Sequence, residues 1–172
     1  MKIVITGAPG SGKTSIINSL KTRGFNCFDE ISREVIINQI KMGGDALPWK
    51  NLFSFSQKVF KIRESQFSES ITTIQFFDRS IVDVYAYMKA DNLKVPQKFI
   101  SSIKKNKYHN VVFITPAWRE IYKKDSERHE SFKKAIKIEK YLQHSYKKFG
   151  YQLLTIPKIS VKDRVNFILS KI

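Results

Sequence analysis

Residues 1–6, Met1-Lys2-Ile3-Val4-Ile5-Thr6, form an apolar, β-branched run, and Gly7-Ala8-Pro9-Gly10-Ser11-Gly12-Lys13-Thr14 follows directly. The octet matches G-x-x-x-x-G-K-S/T, the pattern of a phosphate-binding loop between a strand and a helix. Glycines at 7, 10 and 12 let main-chain N–H groups close on an anion. Those donors, with the positive end of the next helix, form a phosphate cradle. Lys13 has the reach for the β and γ phosphates, and the Thr14 hydroxyl suits Mg²⁺, a hard cation that takes oxygen ligands. Ser15 opens the helical stretch 15–20, with apolar residues at 16, 17 and 20. The expectation is a nucleoside triphosphate bound with Mg²⁺ by residues 7–15.

The rest of the chain repeats a strand–helix alternation. Residues 25–28 read as a second strand after Gly24, and Asp29-Glu30 falls at its carboxyl end. Helical spacing covers 31–40, and the loop 42–49 breaks it with Gly43, Gly44 and Pro48. A helix is predicted over 53–69, a strand over 71–77 and a helix over 82–88. Pro96 is placed to start a helix to 105. A buried strand covers 111–114, a long amphipathic helix covers 132–149, and Gly150 stops it. A last strand covers 151–156, and Ser160 caps a last helix with Asp163 at its third position. Five strands alternating with helices imply an α/β fold, a five-stranded parallel sheet in three layers. No linker divides 1–172, so one nucleotide-binding domain is expected, with the charged stretch 117–131 as a lid.

Three further constellations carry chemistry. Phe76-Phe77-Asp78-Arg79-Ser80 is an apolar strand ending in a carboxylate, and Asp78 is suited to hold Mg²⁺ directly or through water. Arg79 then points at an acceptor. Glu30 and Arg33 have the three-residue spacing of one helix face. They make either a local salt bridge or a substrate pair in which Glu30 accepts a hydroxyl proton. Within 125–130, Arg128 is the candidate lid arginine for stabilising a migrating phosphoryl, with Arg119 second. Trp49 follows Pro48 and is placed to stack on a ring, although core packing is the commoner fate of such a residue.

The 172 residues carry a net charge of +16, with lysine well above arginine. Clusters such as Lys104-Lys105-Asn106-Lys107 read either as solvated helix faces or as attraction to a polyanion, nucleic acid or acidic lipid. The one cysteine, Cys27, fits a reducing cytoplasm and a place in the core. No stretch reaches the ~20 apolar residues of a membrane span, and the amino terminus does not read as a signal peptide. His109, His129 and His144 lack metal-ligand spacing.

These residues together resemble a known group. The P-loop, Glu30-x-x-Arg33, Leu47-Pro48-Trp49, Phe77-Asp78-Arg79 with Asp83 and Ala86-Tyr87, and Asp125-x-x-Arg128-x-Glu130 look like the small P-loop domains grouped with the ribosylnicotinamide kinase half of NadR. Asp78-Arg79-Ser80 with Ala86-Tyr87 is also similar to signatures of thymidylate and deoxynucleoside kinases. The resemblance implies strand order 2-3-1-4-5 and ATP-dependent phosphoryl transfer to a small-molecule acceptor. Its residues are Lys13, Glu30, Asp78 and Arg128 for catalysis, and Glu30, Arg33, Trp49, Arg79 and Asp83 around the acceptor. A hydroxyl acceptor would use Glu30 as base. A phosphate acceptor would need no strong base and would use Arg33 and Arg79 as clamps. Two other readings share the same loop: a nucleotide-dependent switch docking on an anionic lipid or nucleic-acid partner, and a polynucleotide 5′-kinase.

Overall fold

The computed structural model describes residues 1–69, 73–122 and 131–172. Its elements are β1 (Lys2–Gly7), α1 (Lys13–Thr22), β2 (Asn26–Phe28), α2 (Ser32–Lys41), α3 (Leu52–Ser68), β3 (Gln75–Asp78), α4 (Ile81–Ala90), α5 (Gln97–Lys105), β4 (Val111–Thr115), a 3₁₀ turn (Arg119–Ile121), α6 (Phe132–Lys148), β5 (Gln152–Thr155) and α7 (Val161–Leu169). The strands form one parallel sheet in the order β2-β3-β1-β4-β5. Both the α/β class and this strand order match the expectation.

Side chains alternate across a strand, so a sheet covered on both faces needs apolar residues at successive positions. Ile3, Ile5, Phe76 and Phe113 enter one core with Ile16, Ile17 and Leu20 of α1 and Val165 and Ile168 of α7. Val4, Phe77 and Val112 enter the other, with residues of α2 to α6. Each fully buried side chain of this size contributes about 1.5–3 kcal/mol. In the second core Phe60 of α3 stacks on Phe99 of α5, ring centroids 3.7 Å apart.

Local sequence sets most boundaries. The Ser80 and Asp83 side chains form a capping box at the start of α4. The Ser160 hydroxyl accepts from the Asp163 N–H at 3.2 Å, as expected. Pro96 precedes α5 as its cap. Gly24 and Gly150 follow helices with left-handed φ of 84° and 86°. Two expectations change, and a third falls largely outside the described residues. Strand β3 runs to Asp78, and positions 71 and 72 of the predicted strand lie outside the described residues. Cys27 is only half-buried, because β2 is an edge strand; burial pushes its thiol up to about 11, which keeps it protonated and unreactive. Of the stretch 117–131, the described part contains only the 3₁₀ turn, and Arg128 lies outside the described residues. Arg119 is exposed, its guanidinium 5.1 Å from the Phe132 ring. No helix among the described residues is long and apolar enough to cross a membrane.

Candidate functional site

In open α/β sheets, ligands bind beyond the carboxyl ends of the strands, where the strand order reverses. Strand β1 lies at that reversal, and Ile5 is in register with Asp78 of β3, Gly7 with Thr115 of β4. The loop after β1 therefore emerges between two strand ends. Gly7, Gly10 and Gly12 have φ of 140°, 72° and 82°, all in the region that favours glycine. A Cβ on Gly7 would fall on the carbonyl and hydroxyl oxygens of Thr115. Gly7→Ala is thus expected to destabilise by about 3 kcal/mol or more. Gly24→Ala, at φ 84° with nothing within 4 Å of the new Cβ, should cost only about 1–2 kcal/mol. Thermal melts of the two variants side by side check this.

Thr115 also braces the loop. Its hydroxyl donates to the Thr6 carbonyl at 3.1 Å and shares a 2.6 Å hydrogen bond with the Ser11 hydroxyl. Lys13 folds back over the loop, donating to the carbonyls of Gly7 (3.2 Å) and Ala8 (2.8 Å). Burial, with Arg79 nearby, pulls the Lys13 ammonium down to about 7, against the opposing pull of Asp78, Glu30 and Asp83. Ala8 is buried, Thr14 and Ser15 are exposed at the start of α1, and Pro9, Gly10, Ser11, Gly12, Lys13, Thr14 and Ser15 all border one cleft.

The floor of that cleft is a charge network drawn from four elements. Glu30 precedes α2, and its side chain is 20% exposed. It accepts from the Ser32 N–H at 3.0 Å, from the Arg63 guanidinium at 2.6 Å, and pairs with Arg79. Burial pushes the Glu30 carboxyl up, but Arg63, Arg79 and Ser32 outweigh it and hold it at about 2. Arg63 also donates to the Asp78 carbonyl at 2.9 Å. Arg79 has φ of 74°, a left-handed conformation rare outside glycine and asparagine. That turn aims its guanidinium at Glu30 and at Asp83, 3.2 Å away, with the Tyr87 ring 5.3 Å from its centre. Burial works against the Arg79 charge, but Tyr87, Glu30, Asp83 and Asp78 hold its pKa well above the ordinary value.

Asp78 is buried, and its Oδ1 has no hydrogen-bond partner among the described residues. Burial, helped by Glu30, pushes its carboxyl up to about 6 despite Lys13, Arg79 and Arg63. An orphaned carboxylate oxygen bordering the same cleft as the exposed Thr14 hydroxyl is a hard-oxygen donor set, which fits Mg²⁺. Among the described residues no cluster of three His, Cys, Asp or Glu side chains offers a different metal site.

Two expected roles change in the structure. Glu30 lies outside α2, so the spacing to Arg33 is not that of one helix face; Arg33 is exposed on α2 and borders the cleft. Asp83 borders the cleft with its carboxylate held by protein donors: Thr6 donates to it at 2.5 Å, Ser80 N–H at 2.8 Å, and Tyr146 and Arg79 also bond it. Its contacts are those of a helix cap and an anchor for Arg79. Trp49 is 47% exposed and borders the cleft instead of entering the core. Tyr85 packs in the core and Tyr87 in the cleft wall. The cleft, about 1080 Å³, continues past Phe55, Val59 and Val84 on one side of the loop and past Ile121, Val161 and Arg164 on the other.

Arg63 was not among the expected site residues, although it is 2% exposed and holds Glu30 in place. Its signal in the sequence is a cation on the buried stripe of α3, four residues after Val59 and four before Phe67.

The comparisons with known proteins agree with this geometry. A family profile described as AAA domain matches residues 2–164. No curated protein matches the chain. Deoxyadenosine kinase from M. mycoides with bound dATP is similar in structure, with a TM-score of 0.72 at 18% identity over 99% of this chain and 98% of that one. Thymidylate kinase from Candida albicans follows with a TM-score of 0.66 at 17% identity, over 99% of this chain and 89% of that one. NadR in complex with NR gives a TM-score of 0.69 at 14% identity, over 98% of this chain and 49% of that one. At these identities the likeness is one of fold, and that fold is the kinase type implied by the P-loop and the Asp78-Arg79-Ser80 turn. The chain belongs to the AAA domain family of P-loop proteins.

Proposed function

We propose that this protein is a phosphotransferase that moves the γ-phosphoryl of ATP to a hydroxyl of a small, ring-bearing acceptor, as one cytoplasmic P-loop domain. The observation that carries this reading is the Glu30 carboxylate, held ionised at the cleft floor between Arg63 and Arg79. Both guanidiniums already serve protein acceptors: Glu30, the Asp78 carbonyl and Asp83. A phosphate acceptor would have to take them from those partners, whereas a hydroxyl needs only an oxygen to accept its hydrogen.

The roles follow from the charges. Residues 7–15 hold the donor phosphates through main-chain N–H groups, and Lys13 exchanges its loop carbonyls for phosphate oxygens. Thr14 and Asp78 would hold Mg²⁺, which neutralises charge between the β and γ phosphates when bound. Glu30 accepts the hydrogen bond of the acceptor hydroxyl and points its oxygen at the phosphoryl. A carboxylate at about 2 is a weak base, and in a loose, dissociative transfer the proton leaves late, so orientation matters more than abstraction. Arg79 keeps Glu30 in place and adds positive charge near the transfer. Trp49, Tyr87, Phe55 and Val84 supply the flat and apolar wall for the acceptor's ring, with Arg33 at its edge. Arg128 is the candidate for a further cation on the migrating phosphoryl.

The test is ATP consumption with Mg²⁺ across nucleosides, nicotinamide riboside, nucleoside monophosphates and 5′-hydroxyl oligonucleotides. Stimulation by a neutral nucleoside-type acceptor is the expected outcome. Stimulation by monophosphates alone would overturn the hydroxyl assignment. Tight nucleotide binding with no stimulation by any acceptor would favour a nucleotide-dependent switch.

A further inference from the structure

Among the described residues Arg164 is a buried cation that no carboxylate matches. It is the fourth residue of α7 and 5% exposed. Arg63 and Arg79 each pair with Glu30, but among the described residues no carboxylate pairs with Arg164. Its hydrogen bond from Nη1 to the Ser11 carbonyl is long, at 3.4 Å. Its Nε is buried with no hydrogen-bond partner. Burial alone acts on its pKa, and lowers it.

The place of this unbalanced charge is specific. The guanidinium lies 5.4 Å from the Trp118 ring, and Nη1 is 2.8 Å from where a Cβ on Gly12 would stand. Any side chain at position 12 would therefore collide with it. Arg164 borders the same cleft as Lys13 and Thr14. A desolvated guanidinium costs several kcal/mol unless an anion balances it. It is also a planar fork suited to phosphate oxygens.

We propose that Arg164 is a donor-site binding residue whose guanidinium, beside the Trp118 ring, is the counter-charge for the donor nucleotide's phosphates. The chain thus brings a second fixed cation to the loop besides Lys13, from α7 rather than from the loop or the 117–131 stretch. The inference rests on the phosphotransferase reading above. It predicts a signature that a structural arginine would not give: removing the charge harms the nucleotide complex and not the free protein.

The experiment is calorimetric titration of ADP with Mg²⁺ into wild type, Arg164→Met and Arg164→Lys, with a thermal melt of each free protein. Arg164→Met should weaken ADP roughly tenfold or more, the scale of a charge-assisted hydrogen bond. Its free-protein melting temperature should equal or exceed that of wild type, because an apolar chain replaces an uncompensated charge. Arg164→Lys, which keeps the charge but not the fork, should lose less affinity than Arg164→Met. Unchanged ADP affinity in Arg164→Met overturns the proposal, and so does a loss in Arg164→Lys as large as in Arg164→Met. Should wild type itself bind neither ADP nor ATP, the phosphotransferase reading fails first and this one with it.

Discussion

Lys13→Ala is expected to remove acceptor-stimulated ATP turnover by about 10²–10³-fold or more, the scale of losing one fixed donor to developing charge in a water-poor site. The free protein should stay folded. Lys13 is buried, and its ammonium serves only loop carbonyls and the Ser11 hydroxyl. Its proton explains a second expectation. The ammonium sits at about 7 in the folded chain, against an ordinary 10.5 in the unfolded one. Between these values the unfolded state binds more protons, so stability should rise with pH from about 7 upward. Urea melts at pH 7 and pH 9 should show that rise in wild type and a smaller one in Lys13→Ala. An equal rise in both would place the titration elsewhere. Retained turnover in Lys13→Ala would remove the loop from the reaction.

Arg63→Met should be the most damaging substitution outside the loop. It leaves the Asp78 carbonyl without its 2.9 Å donor and takes one of two guanidiniums from Glu30. Breaking a buried ion pair by removing one partner costs about 3–5 kcal/mol. For a domain of this size that lowers the melting temperature by roughly 6–20 °C. The functional effect should fall on the acceptor side: a higher acceptor KM and a lower kcat, with ATP affinity close to wild type. The Glu30 carboxyl should also rise from about 2, since Arg63 is its largest stabilising charge. Thermal melts and steady-state kinetics with each substrate varied separate the two effects. A variant that melts like wild type would show that Arg63 does not hold the network together.

These expectations differ in where they were legible. The loop, its strand and its helix are written locally: glycines where φ is positive, a lysine and a hydroxyl at fixed offsets, an apolar run before them. The parallel sheet was legible because a strand buried on both faces must be apolar at successive positions, as Ile3-Val4-Ile5, Phe76-Phe77 and Val112-Phe113 are. Ser160 announced its helix through a side chain that bonds within three residues.

Charge partners were not legible in the same way. Glu30 and Arg33 stand three apart, so the chain suggests a pair. Yet a helix that begins only at Ser32 puts Glu30 in a loop, where α3 and the end of β3 reach it first. Asp83 also borders the cleft, yet its carboxylate is taken up by Thr6, Ser80, Arg79 and Tyr146, which come together only in the fold. Arg63 and Arg164 sit 15 and 153 residues from the atoms they serve at Asp78 and Ser11. Sequence determined which segments are strands and helices and where the glycine-rich loop lies, because those depend on neighbours along the chain. Only the tertiary structure decided which carboxylate each buried arginine meets and which arginine, among the described residues, meets none, because a buried charge is balanced by whatever the fold brings within a few ångströms.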